Sequence, residues 1–339
     1  MIEISPPMPE VAPTGTVVDM IRRAARQSPE KEALVCGDTR LTWAAFDARV
    51  NRVANALIAR GLSKGDRIAV LGANSAPYAE LFIGALRAGL CIVPLATMAS
   101  SEALERMVAD SGAKAFALAD GYRDLAAPFL DRLAMPKIAV GFHAAGFEGY
   151  EAMLAAAPDT DPMIPLSLTD PVNLIYSSGT TGTPKGILHD HRMRAAQMDR
   201  VHANGYDAPD ARTLLSTPLY SNTTIVAFLP TLVGGGTVVL MEKFDARGYL
   251  ELVQRERITH TMLVPVQYKR IMDVPDFDRF DLSSMRVKFS TSAPLRADVK
   301  QDVLARFPGK LTEYYGLTEG GGVTVLAAHE FPDKLHTVG

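Results

Sequence analysis

Two stretches concentrate residue types suited to handling phosphate. Residues 176–186 read YSSGTTGTPKG and residues 313–322 read EYYGLTEGGG. In the first, Tyr176 precedes an unbroken run of Ser, Gly and Thr, closed by Pro184, Lys185 and Gly186. A packed core gains nothing from such a run. Its glycines, Gly179 and Gly182, permit positive φ and close approach of the backbone. The hydroxyls of Ser177, Ser178, Thr180, Thr181 and Thr183, with the backbone N–H groups, can surround phosphate oxygens, and Lys185 adds a cation. The Walker pattern G-x-x-x-x-G-K-[ST] is not met, because Lys185 follows Pro184 and Gly186 stands where Ser or Thr is required. The plainer alternative is a mobile surface loop.

In the second stretch Glu319 sits beside Thr318 and before three glycines, just past an apolar-aromatic run. A carboxylate so placed can hold Mg²⁺, which bridges phosphate oxygens. Tyr315 offers a flat face on which a base can stack. Taken alone, the segment is more often a strand end and a turn with a solvated Glu. His189 and His191 suggest a metal pair at first sight, but residues at i, i+2 point different ways on a helix. A structural role is expected for both, with Asp190 as an N-cap. No G-x-S-x-G elbow occurs, which weakens a hydrolase reading. VGGGT (233–237) reads as a helix stop leading into a strand.

The rest of the chain must position these stretches. Its 339 residues suffice for two lobes or one large α/β domain. Apolar residues make up 47% and charged residues 22%, which is ordinary globular usage. A net charge of −3, with no basic stretch, argues against nucleic-acid or anionic-membrane partners. Cys36 and Cys91 alone make neither a disulfide framework nor a Cys-based zinc site, and this usage fits a reducing cytosol. The N-terminus lacks the apolar core of a signal peptide. Residues 81–99 approach membrane-spanning length, but Arg87, Gly89 and Pro94 interrupt them. They read as a buried helix, a Gly stop and a buried strand.

Continuous apolar strands alternating with amphipathic helices predict parallel sheets covered on both faces. After a flexible tail (1–13), the first alternation runs over 14–168. In it Thr42 caps a helix with Phe46, Val50, Val53 and Leu57 on one face, Gly61 ends that helix, and Asn74 or Ser75 caps the next. Residues 141–170 are richer in Pro, Asp and Gly, and APDTDPMIPLSLTDP (157–171) reads as a connector. The second alternation, 169–339, begins with the strand VNLIYSS that opens into the phosphate stretch. Further strands are expected at TVVLM, HTMLVP, RVKFST and LTEYYG, with helices at 224–233, 245–257, 265–273 and 296–306. A loop following a parallel strand lies at the carboxyl edge of its sheet, where α/β folds place ligands.

Together, YSSGTTGTPKG and YYGLTE resemble the signature pair of the adenylate-forming superfamily, which includes acyl-CoA synthetases, peptide-synthetase adenylation domains and luciferases. The resemblance extends over essentially the whole chain. Residues 41–89 look like the N-terminal third of an acyl-CoA synthetase, and KGILHDH continues the loop, with His191 at the usual histidine. The fold it implies is α/β, with two doubly wound sheet subdomains. The activity it implies is an ATP-dependent carboxylic acid:CoA ligase: the acid's own carboxylate attacks the α-phosphorus, giving acyl-adenylate and pyrophosphate, and coenzyme A then takes the acyl group. ATP, Mg²⁺ and coenzyme A are thus the implied cofactors and substrates.

The resemblance assigns catalysis to Thr180 and Glu319, with Glu319 on the metal and Thr318 on the α-phosphate. It places adenine between Ser292–Pro294 (with Ala293) and Tyr315–Gly316. It places the acyl group near Tyr220, Ser221, Asn222, Val264, Tyr268, Gly320 and Gly321. Lys185 is expected to face solvent in a mobile loop. Thr291 and Ser292 replace the family's usual glycines beside adenine, and Ser221 stands where many acyl-CoA synthetases have His. An aliphatic or alicyclic acid is expected, although the pocket composition also admits an aromatic one. The final LHTVG looks like the start of a further family segment, so about 150–200 more residues are implied, on the arithmetic of a barrel and a mobile domain. The chain is therefore expected to be a shortened form with impaired turnover. A carrier-protein-loading adenylation domain and a non-catalytic nucleotide- or carboxylate-binding module are the competing readings.

Overall fold

The computed structural model describes residues 15–177, 185–203, 209–320 and 323–339. The expected tail at 1–13 lies outside them, as do Ser178, Gly179, Thr180, Thr181, Gly182, Thr183 and Gly321.

Local chemistry sets the element boundaries. Helix α1 (Val17–Gln27) opens with a reciprocal cap, in which the Thr16 hydroxyl accepts from Asp19 N and the Asp19 carboxylate accepts from Thr16 N. The hairpin β1 (Glu32–Cys36) and β2 (Thr39–Thr42) leads into α2 (Trp43–Ala59), where the Thr42 hydroxyl accepts from Ala45 N as expected. Gly61 then takes the left-handed conformation. There follow β3 (Arg67–Leu71), α3 (Ala76–Arg87), β4 (Cys91–Pro94), α4 (Ser101–Ser111), β5 (Ala115–Ala119), α5 (Arg123–Leu130) and β6 (Lys137–Val140). Ahead of the expected connector come β7 (Glu148–Gly149) and α6 (Tyr150–Ala155), where Tyr150, Met153 and Leu154 are buried, and residues 157–170 then form neither helix nor strand, as expected.

The second half runs through β8 (Pro171–Ser177), β9 (Lys185–Asp190), α7 (His191–Ala203), β10 (Arg212–Leu215), α8 (Asn222–Val233) and β11 (Thr237–Leu240). It continues with α9 (Ala246–Arg255), β12 (His260–Leu263), α10 (Pro265–Met272), β13 (Val287–Ser290), α11 (Ala297–Arg306), β14 (Lys310–Tyr315) and β15 (Thr324–Ala327). Among the described residues no helix is long and apolar enough to cross a membrane. The apolar run at 81–99 is α3, Gly89 at φ 76° and β4, as its interruptions imply. Arg87 is fully buried there and donates to Asp47 Oδ1 and Asn51 Oδ1 at 2.6 and 2.7 Å.

Two parallel-dominated sheets result. One has the order β7-β6-β5-β3-β4-β8-β9, with only β9 antiparallel to its neighbour. The other has the order β15-β14-β13-β12-β10-β11-β1-β2, with antiparallel strands at both edges. Sheet membership crosses the boundary expected at 168/169. The β1–β2 hairpin pairs through β1 with β11, and β8–β9 completes the first sheet beside β4. The apolar strand β1 needs a parallel neighbour on its open side, and β11 supplies one from far along the chain.

The layers follow from strand alternation. Ala69, Leu71, Phe116 and Leu118 face α4 and α5 on the outside of the first sheet. Ile68, Val70, Ala115 and Ala117 face inward, where α1, α2, α3 and α8 fill the space between the sheets. The second sheet's outer face is covered by α9, α10 and α11. Helices α2 and α3 approach so closely that a Cβ on Gly84 would lie 2.4 Å from Val53 Cγ1. Phe82 and Phe228 meet edge to face across the central layer. One amide joins the two sheets: Asn74 Nδ2 donates to Thr217 O and Met241 O, and Asn74 Oδ1 accepts from Leu219 N. Ser75 alone caps α3, accepting from Tyr78 N.

Candidate functional site

The parallel strands β10, β12, β13 and β14 end along one edge of the second sheet, at Leu215, Leu263, Ser290 and Tyr315. Strand order reverses at β10, since β11 lies on one side and β12 on the other. Loops leaving either side of such a reversal diverge and open a crevice. Here the two loops are Ser216–Ser221 and the turn at Val264. Gln267 spans them: its Nε2 donates to Ser216 O and Oγ, and its Oε1 accepts from Val264 N. Tyr220, Ser221, Asn222 and Val264, all expected at the acyl pocket, are half-buried on these loops. Tyr268 is placed differently. It is fully enclosed in the outer core with its hydroxyl on Phe289 O, because α10 turns that face toward the sheet.

The segment expected beside adenine leaves β13. Ser292 adopts φ 77°, the left-handed region that glycine favours and a side chain strains. Its hydroxyl is paired with that of Thr223, with 2.5 Å between the oxygens, a bond glycine lacks. The sequence departure thus keeps a glycine-like backbone and ties it to the start of α8. Ala293 and Pro294 are exposed. Leu295 N donates to Glu313 Oε1 at 2.6 Å, and Glu313 pairs with buried Lys300 at 2.5 Å. Since β13 and β14 are neighbours, Ser292–Pro294 and the exposed Tyr315 and Gly316 stand side by side at the edge.

The two described ends of the Ser/Thr/Gly stretch, Ser177 and Lys185, form the last pair of the β8–β9 hairpin, and residues 178–184 between them lie outside the described residues. Lys185 is exposed, as expected. At the hairpin's root Asn173 faces His189. His189 Nε2 lies 2.6 Å from the carbonyl oxygen of Thr318. A carbonyl only accepts, so Nε2 carries the proton and Nδ1 presents a lone pair. Two donors meet that lone pair, Asn173 Nδ2 at 2.9 Å and Arg194 Nη2 at 3.1 Å. Burial, reinforced by the Arg194 charge, lowers His189 to about 4, so it is neutral at physiological pH. His191 is likewise lowered to about 4 by burial, and its Nδ1 accepts from Val17 N. The two histidines therefore have separate partners, and Asp190 caps α7 by accepting from Met193 N at 2.7 Å.

Beyond the gripped carbonyl the chain turns: Gly320 N donates to Leu317 O, and Gly320 takes φ 82°. This presents Glu319 to solvent, with no ion-pair partner among the described residues. Among those residues no group of three His, Cys, Asp or Glu is placed to hold a metal. A lone exposed carboxylate nevertheless fits Mg²⁺, which takes one or two carboxylates and completes its shell with water and phosphate oxygens. Sequence reasoning missed Arg194 and Asn173. Only the spacing of His191, Arg194 and Met198 on one helix face hinted that Arg194 points inward.

The sequence matches the AMP-binding enzyme family over residues 21–339. It is 35% identical over 320 residues to the feruloyl-CoA synthase of Amycolatopsis sp, covering 94% of this chain and 62% of that protein. It is 29% identical over 327 residues to the long-chain-fatty-acid–CoA ligase FadD13 of Mycobacterium tuberculosis, covering 94% of this chain and 64% of that one. The chain therefore spans less than two thirds of the length of these relatives. The inhibitor-bound N-terminal domain of FACL13 from Mycobacterium tuberculosis superposes with a TM-score of 0.86 at 27% identity, covering 94% of this chain and 80% of that one. With the family match running from Ile21 to Gly339, the chain belongs to the AMP-binding enzyme family.

Proposed function

We propose that these residues form the nucleotide- and acid-binding part of an ATP-dependent carboxylic acid:CoA ligase that works through an acyl-adenylate. The observation that carries this reading is the 2.6 Å contact between His189 and the Thr318 carbonyl. It holds the turn bearing Glu319 against the root of the hairpin that carries the Ser/Thr/Gly run. On this reading acid on Tyr220–Asn222 and Val264 and adenine between Ser292–Pro294 and Tyr315–Gly316 line the second sheet's edge, and the phosphates lie beside Thr318, reached by Thr180 and Lys185 from the neighbouring hairpin. No enzyme nucleophile is needed, because the bound carboxylate supplies the attacking oxygen and pyrophosphate leaves. The residues align that attack and donate to the phosphate oxygens. Bound through Glu319, Mg²⁺ would neutralise charge on the departing pyrophosphate.

The acid is a carboxylate of aryl or alkyl type; the relatives above are named for ferulate and for long-chain fatty acids. Coenzyme A is the expected acceptor thiol. Calorimetric titration of the chain with Mg²⁺·ATP, then with ferulate and decanoate, tests the assignment. Glu319→Ala is expected to weaken Mg²⁺·ATP at least about a hundredfold, on the worth of a charge-assisted contact to a bound cation. Unchanged affinity in that variant would remove Glu319 from the metal role.

A further inference from the structure

Arg194 is an unusual residue to bury. Its side chain is 1% exposed and has no carboxylate partner among the described residues. A guanidinium taken out of water is costly unless a counter-charge or a full set of acceptors receives it. Here the acceptors are all neutral. Nε donates to Asn173 Oδ1 at 2.8 Å, Nη1 to Gln197 Oε1 at 2.7 Å and to Asn222 Oδ1 at 2.9 Å, and Nη2 to His189 Nδ1. These partners come from β8, α7, α8 and β9, so the fork is fixed from several sides. An arginine has donors only. Whatever it faces must offer a lone pair.

We propose that Arg194 is a positioning residue that locks His189 in the Nε2–H tautomer, so that His189 grips the Thr318 carbonyl and sets the Glu319 turn for ATP. With Nδ1 facing two donors, the alternative Nδ1–H tautomer would set N–H against N–H and leave the Thr318 carbonyl facing a lone pair. The carbonyl contact therefore needs the same tautomer that the guanidinium, together with the Asn173 amide, enforces. The proposal rests on the reading of Thr318–Glu319 as the phosphate and magnesium turn, and it adds a residue that touches neither ligand.

Two measurements on the full chain test it. In protein labelled with ¹⁵N-histidine, the His189 resonances (assigned with His189→Gln) should report a neutral Nε2–H ring, and Arg194→Met should shift them toward a tautomer mixture. Calorimetry with Mg²⁺·ATP should show Arg194→Met weakening affinity about tenfold, the worth of one lost hydrogen bond. In a His189→Gln background the same change should cost less than about threefold, because the Gln amide donates to Thr318 without any tautomer to fix. An unaltered His189 spectrum in Arg194→Met, or equal losses in both backgrounds, overturns the lock. Where Arg194→Met does not fold, Arg194→Lys carries the test: a kept tautomer with near-native affinity supports the lock, and lost affinity with an unchanged spectrum overturns it. If the wild-type chain binds no Mg²⁺·ATP, the functional reading fails, while the His189 spectrum still decides what Arg194 does.

Discussion

The two sheets are built alike and used differently. Each reverses its strand order once, at β3 in the first and at β10 in the second, and each reversal opens a crevice at the carboxyl ends of its strands. In the first sheet the cavity there is lined by Val70, Leu71, Gly72, Ala73, Tyr78 and Ala119 among others, with no carboxylate, imidazole, lysine or arginine. In the second, the corresponding edge gathers Gln267, Ser292, Thr318 and Glu319, and His189 reaches in from the neighbouring sheet. Topology supplies a place for a ligand, and side chains decide whether chemistry happens in it. The loop after β3 serves instead as a strut, since its Asn74 holds the backbone of the loop after β10.

The contrast can be sharpened by acid. His189 and His191 both titrate near 4 in the folded chain, against about 6.5 when unfolded. Their unfolded forms bind protons more readily, so stability is full above about pH 6.5 and falls toward pH 4, by up to about 3 kcal/mol for each ring. Urea titrations across that window should show the slope, and His189→Gln should reduce it. Hydrogen exchange at pH 5 should open β9 and the start of α7 before β3–β6; simultaneous opening of both sheets would break the comparison.

Asn74→Ala removes three buried hydrogen bonds between the sheets and should cost about 3 kcal/mol in urea unfolding. Because it frees the loop after β10, it should also weaken acid binding, although Asn74 belongs to the first sheet. Ser75→Ala, next to it, loses only the α3 cap, which is worth about 1 kcal/mol. Its Mg²⁺·ATP affinity should match that of the unaltered chain, and a drop there would give the first crevice a role it is not assigned.

The smallest effect is expected at Ser292. Ser292→Gly relieves a left-handed side chain but loses the Thr223 bond, terms of about 1 kcal/mol each, so stability should hardly change. Ser292→Ala loses the bond and keeps the strain, and should melt lower than Ser292→Gly. Equal melting of the two variants would remove the strain argument.

Much of this was legible in the sequence because caps and turns are local. Thr42, Ser75, Asp190 and Gly61 act within three or four residues of themselves, and their types announce it. Strand positions were legible for the same reason, since a run such as TVVL buries on both faces. What was hidden is long-range. Nothing near Asn74 says that its amide crosses to Thr217 and Met241, and nothing in HRMRAAQ says that its second arginine meets four neutral acceptors. The burial of Tyr268 was hidden too, because the segment that carries it borders the loops after β10 and β12 while its ring packs into the outer core. The pairing of β1 with β11 was invisible because both strands are plain apolar runs with many possible neighbours.

That last pairing has a consequence for how the molecule comes into being. Strand β1 lies near the beginning of the chain, yet its parallel partner is some two hundred residues away by sequence position, at Val238–Leu240. The first sheet in turn waits for β8 and β9, made after the midpoint. Each half thus holds strands that the other half's sheet requires. Synthesis from the N-terminus cannot finish one sheet and then begin the next, and a cut in the 156–168 stretch would yield two pieces that each lack strands. Completion of both sheets therefore waits on the second half, and the β1–β2 hairpin lacks its parallel neighbour until β11 is made.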